Sequence, residues 1–540
     1  MTTKMRDEDA QGTARPDGIS RRDVLKKAGG VSAAVLGAGM LAGSELAGGV
    51  PAEAAALSNG NEICRMDAVT LAEHIRAKRL SPVEVVDAVL DRMDKLQPVI
   101  HAFCTPTPDL ARERAKQLEG DIMAGRPVGP LAGVPVGIKD LVMTKGIRTT
   151  SGSIIYKDFI PDEDDVVVER LKGAGAIILG KTNVPELGYS GASYNMIFPP
   201  TGNPWNPERT AGGSSAGSGA AVAAGIGPFA IGSDGGGSVR IPASICGLYG
   251  LKASMGRVPL YPGARDERYP GVSGWESVEH IGPLSRTVAD AALMMSVIAG
   301  PDDRDRHSLP AADFNWINTI QGDIKGLRVA YTPDWGYALV DPEVREICGK
   351  AAQVFEGSLG CTVETASPGW EDPFGPFFTI VMSQTDLSGM RKLVAKYGSQ
   401  MMPHLVESIM TPMTDQQITD AVMVRKAVTN KSWRFMRKYD LLLTPTVAVP
   451  AFAQGIQGPE TIEGKKAGPF QWIAFTFPFN MTGQPAATVP AGFTRDGLPV
   501  GLQIVGRHLD DPTVLRASAA FEQAAPWKDR WPPMLAERGL

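Results

Sequence analysis

Apolar residues recur at helical spacing over residues 68–77. They do so again from Ser81, where S-P-V-E supplies an N-cap, a proline at the first helical position and a capping-box glutamate. The stripe Val85, Val86, Val89, Leu90 and Met93 continues that helix and needs a surface to pack on. A charge-rich helix is expected over 109–124. The period then shortens. Apolar runs at 134–138, 176–179, 229–231, 327–331, 441–443 and 487–489 read as buried strands, and 502–505 returns from a hairpin turning at Asp496-Gly497. Between them, 166–171 reads as a helix, and the small-residue run 220–225 as a tightly packed one. This alternation predicts an α/β class, with a large mixed β-sheet covered on both faces by helices. Residues 57–540 read as a single domain. Its section from about 300 to 440 is helical and irregular, and is expected to cap the active edge of the sheet.

The first 56 residues follow another pattern. A polar stretch leads to S-R-R-D-V-L-K at residues 20–26, then to an uncharged run of Gly, Ala, Val, Leu and Met over 28–44, then to A-E-A and A-A-A. These three regions, in this order, are the layout of a secretory signal peptide, and Arg21-Arg22 makes it resemble a twin-arginine signal. The expectation is export by the twin-arginine machinery to the periplasm or beyond. The apolar run is too short and glycine-rich for a comfortable span, although an uncleaved anchor is left open.

Composition narrows the function. A formal net charge of -5 gives no broad basic surface, so nucleic acid is not expected as a partner. The five cysteines are odd in number and form no C-x-x-C pair, which argues against a disulfide framework while leaving one bridge open. The six histidines are scattered without metal-ligand spacing, so neither metal nor cofactor is expected. The chain is expected to act as a monomer or homodimer.

Two motif matches fail on context. G-A-I-I-L-G-K-T at 175–182 matches the phosphate loop, but its middle residues favour a buried strand, and N-V-P follows instead of a helix. G-S-S-A-G at 213–217 matches a nucleophile elbow around Ser215, but a polar loop precedes it where an apolar strand is required.

A longer block remains: G-V-P-V-G-I-K-D at 133–140, A-G-G-S-S-A-G-S-G-A from Ala211, G-S-D-G-G-G-S-V-R-I-P-A from Gly232 and C-G-L-Y-G-L-K from Cys246. At these residues the chain resembles the amidase signature family, with weaker similarity at K-T-N-V-P-E-L from Lys181 and L-L-L-T-P-T from Leu441. The resemblance implies Lys139 as base, Ser214 as a proton relay following a cis peptide bond, and Ser238 as nucleophile. Residue chemistry fits those roles. A serine needs a base, no histidine lies in the block, and a lysine ending an apolar strand can be held neutral by burial. Three glycines before Ser238 let N–H groups converge, so the oxyanion hole is expected from Gly235, Gly236, Gly237 and Ser238. Asp234 and Arg240 are expected to brace this loop. Ala216 departs from the glycine common in the family. Gly235 resembles the branch acting on linear amides and weighs against the tRNA-dependent amidotransferase branch.

The expected function is hydrolysis of a small-molecule or peptide amide through a seryl acyl-enzyme. An esterase or carbamate hydrolase with the same triad, and a catalytically inactive binding protein, are the alternatives. Pocket walls are expected from 189–195, the 300–439 section and 475–484, with Tyr189, Ser190, Gly191 and Asn480 as substrate-binding residues.

Overall fold

The computed structural model describes residues 59–540, so the export reading of residues 1–56 lies outside the described residues. Eleven strands form the main sheet: β1 (Phe103–Pro106), β2 (Pro135–Lys139), β3 (Ile177–Thr182), β4 (Phe229–Ser233), β5 (Tyr249–Lys252), β6 (Ile281–Ser285), β7 (Arg328–Tyr331), β8 (Thr362–Thr365), β9 (Leu441–Pro445), β10 (Ala486–Phe493) and β11 (Pro499–Gly506). Their spatial order is β1-β3-β2-β4-β6-β5-β10-β11-β9-β7-β8. The trio β3-β2-β4 is parallel, and so is β9-β7-β8, while the strands between them pair antiparallel. The sheet is therefore mixed, as expected.

Side chains alternate between two apolar layers. Ile178, Phe229 and Ile231 join one core, while Ile177, Leu179 and Ala230 join the other. A period of two in a strand means opposite faces, so each face must be covered. Helix α1 (Pro82–Ile100) helps cover one, burying Val86, Val89, Leu90, Met93 and Leu96 behind a complete Ser81–Glu84 capping box. Burying such a side chain is worth about 1.5–3 kcal/mol, so this stripe anchors the helix far more strongly than its cap does. Helix α2 (Ala216–Ala223) packs on the same side. A side chain at Gly217 would collide with Ala102 O and Asn183 N, which is why this helix is built of small residues. Helix α3 (Arg240–Cys246) follows the loop after β4.

The 300–440 section divides in two. Strands β7 and β8 extend the sheet, and the helix Pro342–Gly357 packs on β10 and β11. Helices α4 (Phe374–Gln384) and α5 (Asp415–Met436) pack together, and α4 also meets the turn at Ser273–Trp275. All five cysteines are buried and free.

Candidate active site

Strands β2 and β4 run parallel and side by side, and end at Lys139 and Ser233. Ligand sites in such sheets gather at these carboxyl ends. Every residue of P-V-G-I-K is buried, so the strand carries its lysine into the interior. Lys139 Nζ donates to Ser214 Oγ at 2.8 Å, Ser233 Oγ at 2.9 Å and Ser233 O at 3.0 Å. Burial pushes the amine below its ordinary pKa, against the opposing charges of Glu279 and Asp234.

Ser214 follows a cis peptide bond at Gly213–Ser214. A Cβ at residue 213 would lie 2.5 Å from Ala192 O, so only glycine lets the loop pass there. Ser215 faces the sheet. Its hydroxyl donates to Ser233 O at 3.2 Å and accepts from Ser233 N at 3.3 Å, which makes it a brace between β4 and the start of α2.

Ser238 sits in the loop between β4 and α3, and that loop is built around one buried ion pair. Asp234 Oδ1 accepts from Arg240 Nη2 at 2.8 Å, and Oδ2 accepts from Arg240 Nε at 2.9 Å, both side chains being fully buried. Burial alone raises the Asp234 carboxyl, but the Arg240 charge and hydrogen bonds outweigh it and hold the group well below the usual carboxylate range. The carboxylate also accepts from the N–H of Gly237 at 2.8 Å and of Val239 at 3.2 Å. The bracing expected of Asp234 and Arg240 takes this form.

One of the four expected oxyanion donors is thereby corrected. The Gly237 N–H already points at Asp234, whereas the N–H groups of Gly235, Gly236 and Ser238 have no partner among the described residues. Ser238 Oγ likewise makes no hydrogen bond among the described residues, and Ser238 borders a cavity. The structure joins Lys139 to Ser214 directly. It joins the Ser214 and Ser238 segments through the backbone, where Ser215 N–H donates to Ser238 O at 3.2 Å.

The cavity has a volume of about 50 Å³. Tyr189, Ser190, Gly191, Gly236 and Ser238 line it, together with Ile241, Trp275, Phe374, Phe377, Phe378, Phe470 and Ile473. Tyr189 is held in place, its hydroxyl 2.9 Å from Thr385 Oγ1 and its ring 4.6 Å from that of Trp275. Ser190 Oγ is already committed to Gln457 Oε1 at 2.6 Å, so its contribution to the wall is steric. Asn480 needs a second correction. Its amide donates to Asp234 O at 2.7 Å and Val278 O at 3.1 Å, and its carbonyl accepts from Arg240 Nη2 at 2.7 Å. It is fully buried, and both ends of the amide are occupied by the loop's bracing network.

Sequence reasoning did not single out Trp275 or the phenylalanines. The pair Phe374 and Phe377, three residues apart at the start of α4, was a usable signal. Trp275, in a short turn, carried none. The phosphate-loop lookalike is strand β3. Lys181 lies buried with its amine on Thr144 Oγ1 at 2.9 Å, Thr149 Oγ1 at 3.1 Å and the Val142 carbonyl.

The Amidase family pattern matches residues 84–515. The chain belongs to the amidase signature family. It is 40% identical to an acylamidase of Rhodococcus erythropolis over 477 residues, spanning 86% of this chain and 97% of the relative. Among solved structures, a bacterial aryl acylamidase of the amidase signature family superposes with a TM-score of 0.79 at 34% identity. That match covers 86% of this chain and 97% of the other. A 6-aminohexanoate cyclic dimer hydrolase superposes with a TM-score of 0.77 at 31% identity, over 87% of this chain and 99% of the other. The match thus takes in the whole sheet of this amidase-signature chain as well as the serine- and glycine-rich block.

Proposed function

We propose that the protein hydrolyses carboxylic amides carrying a flat apolar group, through an acyl-enzyme on Ser238. The observation that carries this reading is the Lys139 amine on Ser214 Oγ at 2.8 Å, beside an aromatic-walled cavity that Ser238 borders. Ser238 Oγ attacks the amide carbonyl carbon, and its proton passes through the Ser214 hydroxyl to Lys139. The oxyanion accepts hydrogen bonds from the N–H groups of Gly235, Gly236 and Ser238. The C–N bond then breaks. The amine leaves with the proton returned from Lys139 through Ser214, and water attacks the acyl-enzyme by the same relay in reverse. The names acylamidase and aryl acylamidase, borne by similar proteins, support an amide over an ester as substrate.

The aromatic wall sets the preference. Phe377 stacks on Phe477 with ring centroids 5.2 Å apart and lines the cavity. Losing such a wall is worth about 1–3 kcal/mol in a hydrophobic pocket. Phe377→Ala is therefore expected to lower kcat/KM for an anilide by about 10–200-fold while changing that for a short aliphatic amide little. An equal fall for both substrates, in parallel assays of released amine, contradicts the aromatic preference.

We also propose that residues 1–56 direct twin-arginine export to the periplasm or beyond, on the strength of Arg21-Arg22 ahead of an uncharged run. Changing both arginines to lysine in the full chain is expected to leave the protein unexported when cell fractions are compared. Undiminished export contradicts the twin-arginine route.

A further inference from the structure

Lys139 has a second neighbour, Ser233, that the relay does not use. As an ammonium it has three protons, and three acceptors meet it: Ser214 Oγ, Ser233 Oγ and Ser233 O. As a neutral amine it has two protons and one lone pair. For the relay to run, that lone pair must face Ser214, so both remaining protons must be taken by Ser233. The Ser233 hydroxyl can accept from Lys139 only while its own proton goes elsewhere.

Glu279 is the carboxyl that the fold brings to this end of the strand. It stands two residues before β6, whose Ile281 pairs with Ser233 in register, so the loop delivers its carboxyl to the end of β4. The side chain is buried, and its Oε2 lies against Gly235, two residues after Ser233 in the chain. Room for it exists because residue 235 is glycine: a Cβ there would lie 2.5 Å from Glu279 Oε2. Burial raises the carboxyl, and the Lys139 charge and the Ser233 hydroxyl work against that rise.

We propose that Glu279, acting through the Ser233 hydroxyl, is a positioning residue for Lys139: it turns the amine's lone pair onto Ser214 and steadies the ammonium formed when Ser238 attacks. This rests on the reading of Lys139 as the base. The other charged or titratable groups facing this pair have assigned partners. Asp234 is locked by Arg240, and Arg265 is paired with Asp305 at 2.8 Å. Lys252 and His280 lie behind Asp234, with His280 Nδ1 2.8 Å from Val278 O. The Tyr189 phenol is held by Thr385. None of these occupies the Ser233 hydroxyl.

The sign of the effect follows. A carboxylate favours the charged lysine, so its removal lets Lys139 lose its proton at lower pH. In the full chain, Glu279→Gln is expected to move the acid limb of kcat/KM down by about one pH unit, with KM for the amide unchanged. Ser233→Ala, which removes an acceptor from the ammonium, is expected to move it the same way, and serves if Glu279→Gln does not fold. A fall in activity with the acid limb unmoved in both variants overturns the proposal, as does an upward move. Lys139→Met is measured alongside. If it retains wild-type turnover, the base assignment itself fails. If it is inactive while the other two variants keep the wild-type limb, only the role of Glu279 fails.

Discussion

Ser238→Ala is expected to lower kcat by about 10⁶-fold without changing the unfolding midpoint, since removing a nucleophile that works as a unit with its base removes nearly all of the triad's contribution. The structure explains why stability is spared. Ser238 Oγ makes no hydrogen bond among the described residues, so its loss leaves no buried partner unsatisfied, while the backbone link from Ser215 N–H to Ser238 O persists. The residual rate over water is expected to survive, because the three N–H donors are backbone groups and the aromatic walls are untouched. Single-turnover assays of the variant, with urea unfolding of the same sample, check both halves of the expectation.

The second large effect is expected at Arg240, and it falls on stability and activity together. Its guanidinium pairs with Asp234 and also donates to Thr476 O at 2.8 Å, Gln503 Oε1 at 2.6 Å and Asn480 Oδ1 at 2.7 Å. Arg240→Met strands a buried carboxylate, a change that costs about 3–5 kcal/mol. The same carboxylate holds the N–H groups of Gly237 and Val239 on either side of Ser238, the proposed nucleophile. A loosened loop is expected to misplace the proposed oxyanion donors, which is worth about 10²–10³ in kcat. The pH dependence has a defined sign. In the wild type the Asp234 carboxyl is held low, so its contribution is present above the ordinary carboxyl pKa and is lost as pH falls through the depressed one. In Arg240→Met the buried carboxyl instead becomes easier to protonate, so the stability gap between variant and wild type narrows toward acid pH. Denaturant unfolding across pH measures this gap. Asp234→Asn added to Arg240→Met is expected to recover part of the loss. A double variant less stable than the single one contradicts the ion-pair account.

Much of this architecture could be read from the chain. The capping box at Ser81 and the apolar stripe behind it define α1 because local chemistry and burial agree there. Lys139 was visible as a charge ending an apolar run, and Ser215 and Lys181 could be set aside because their surroundings contradicted their motifs. Strands β5 and β6 escaped notice for a physical reason. Y-G-L-K is four residues long and I-G-P-L-S carries a central proline, so neither shows strand periodicity, and both owe their state to the neighbours they pair with. Asn480 and Gly237 illustrate a different limit. Residue type alone does not say whether an amide or an N–H faces a substrate or a buried carboxylate. Here Asp234, more than 240 residues before Asn480 in sequence, takes both. Trp275 and Glu279 lie in a loop without periodicity, and only the register of β6 against β4 brings that loop to the end of β4.

Ser238, activated through Ser214 and Lys139, is the group proposed to take the acyl chain. Treating the purified protein with a fluorophosphonate and mapping the adduct by peptide mass spectrometry tests it directly. One phosphonyl group is expected, on the Ser238 peptide, lost in Ser238→Ala and strongly slowed in Lys139→Met. A label carried by Ser215 or any other serine, or undiminished labelling without Lys139, contradicts it.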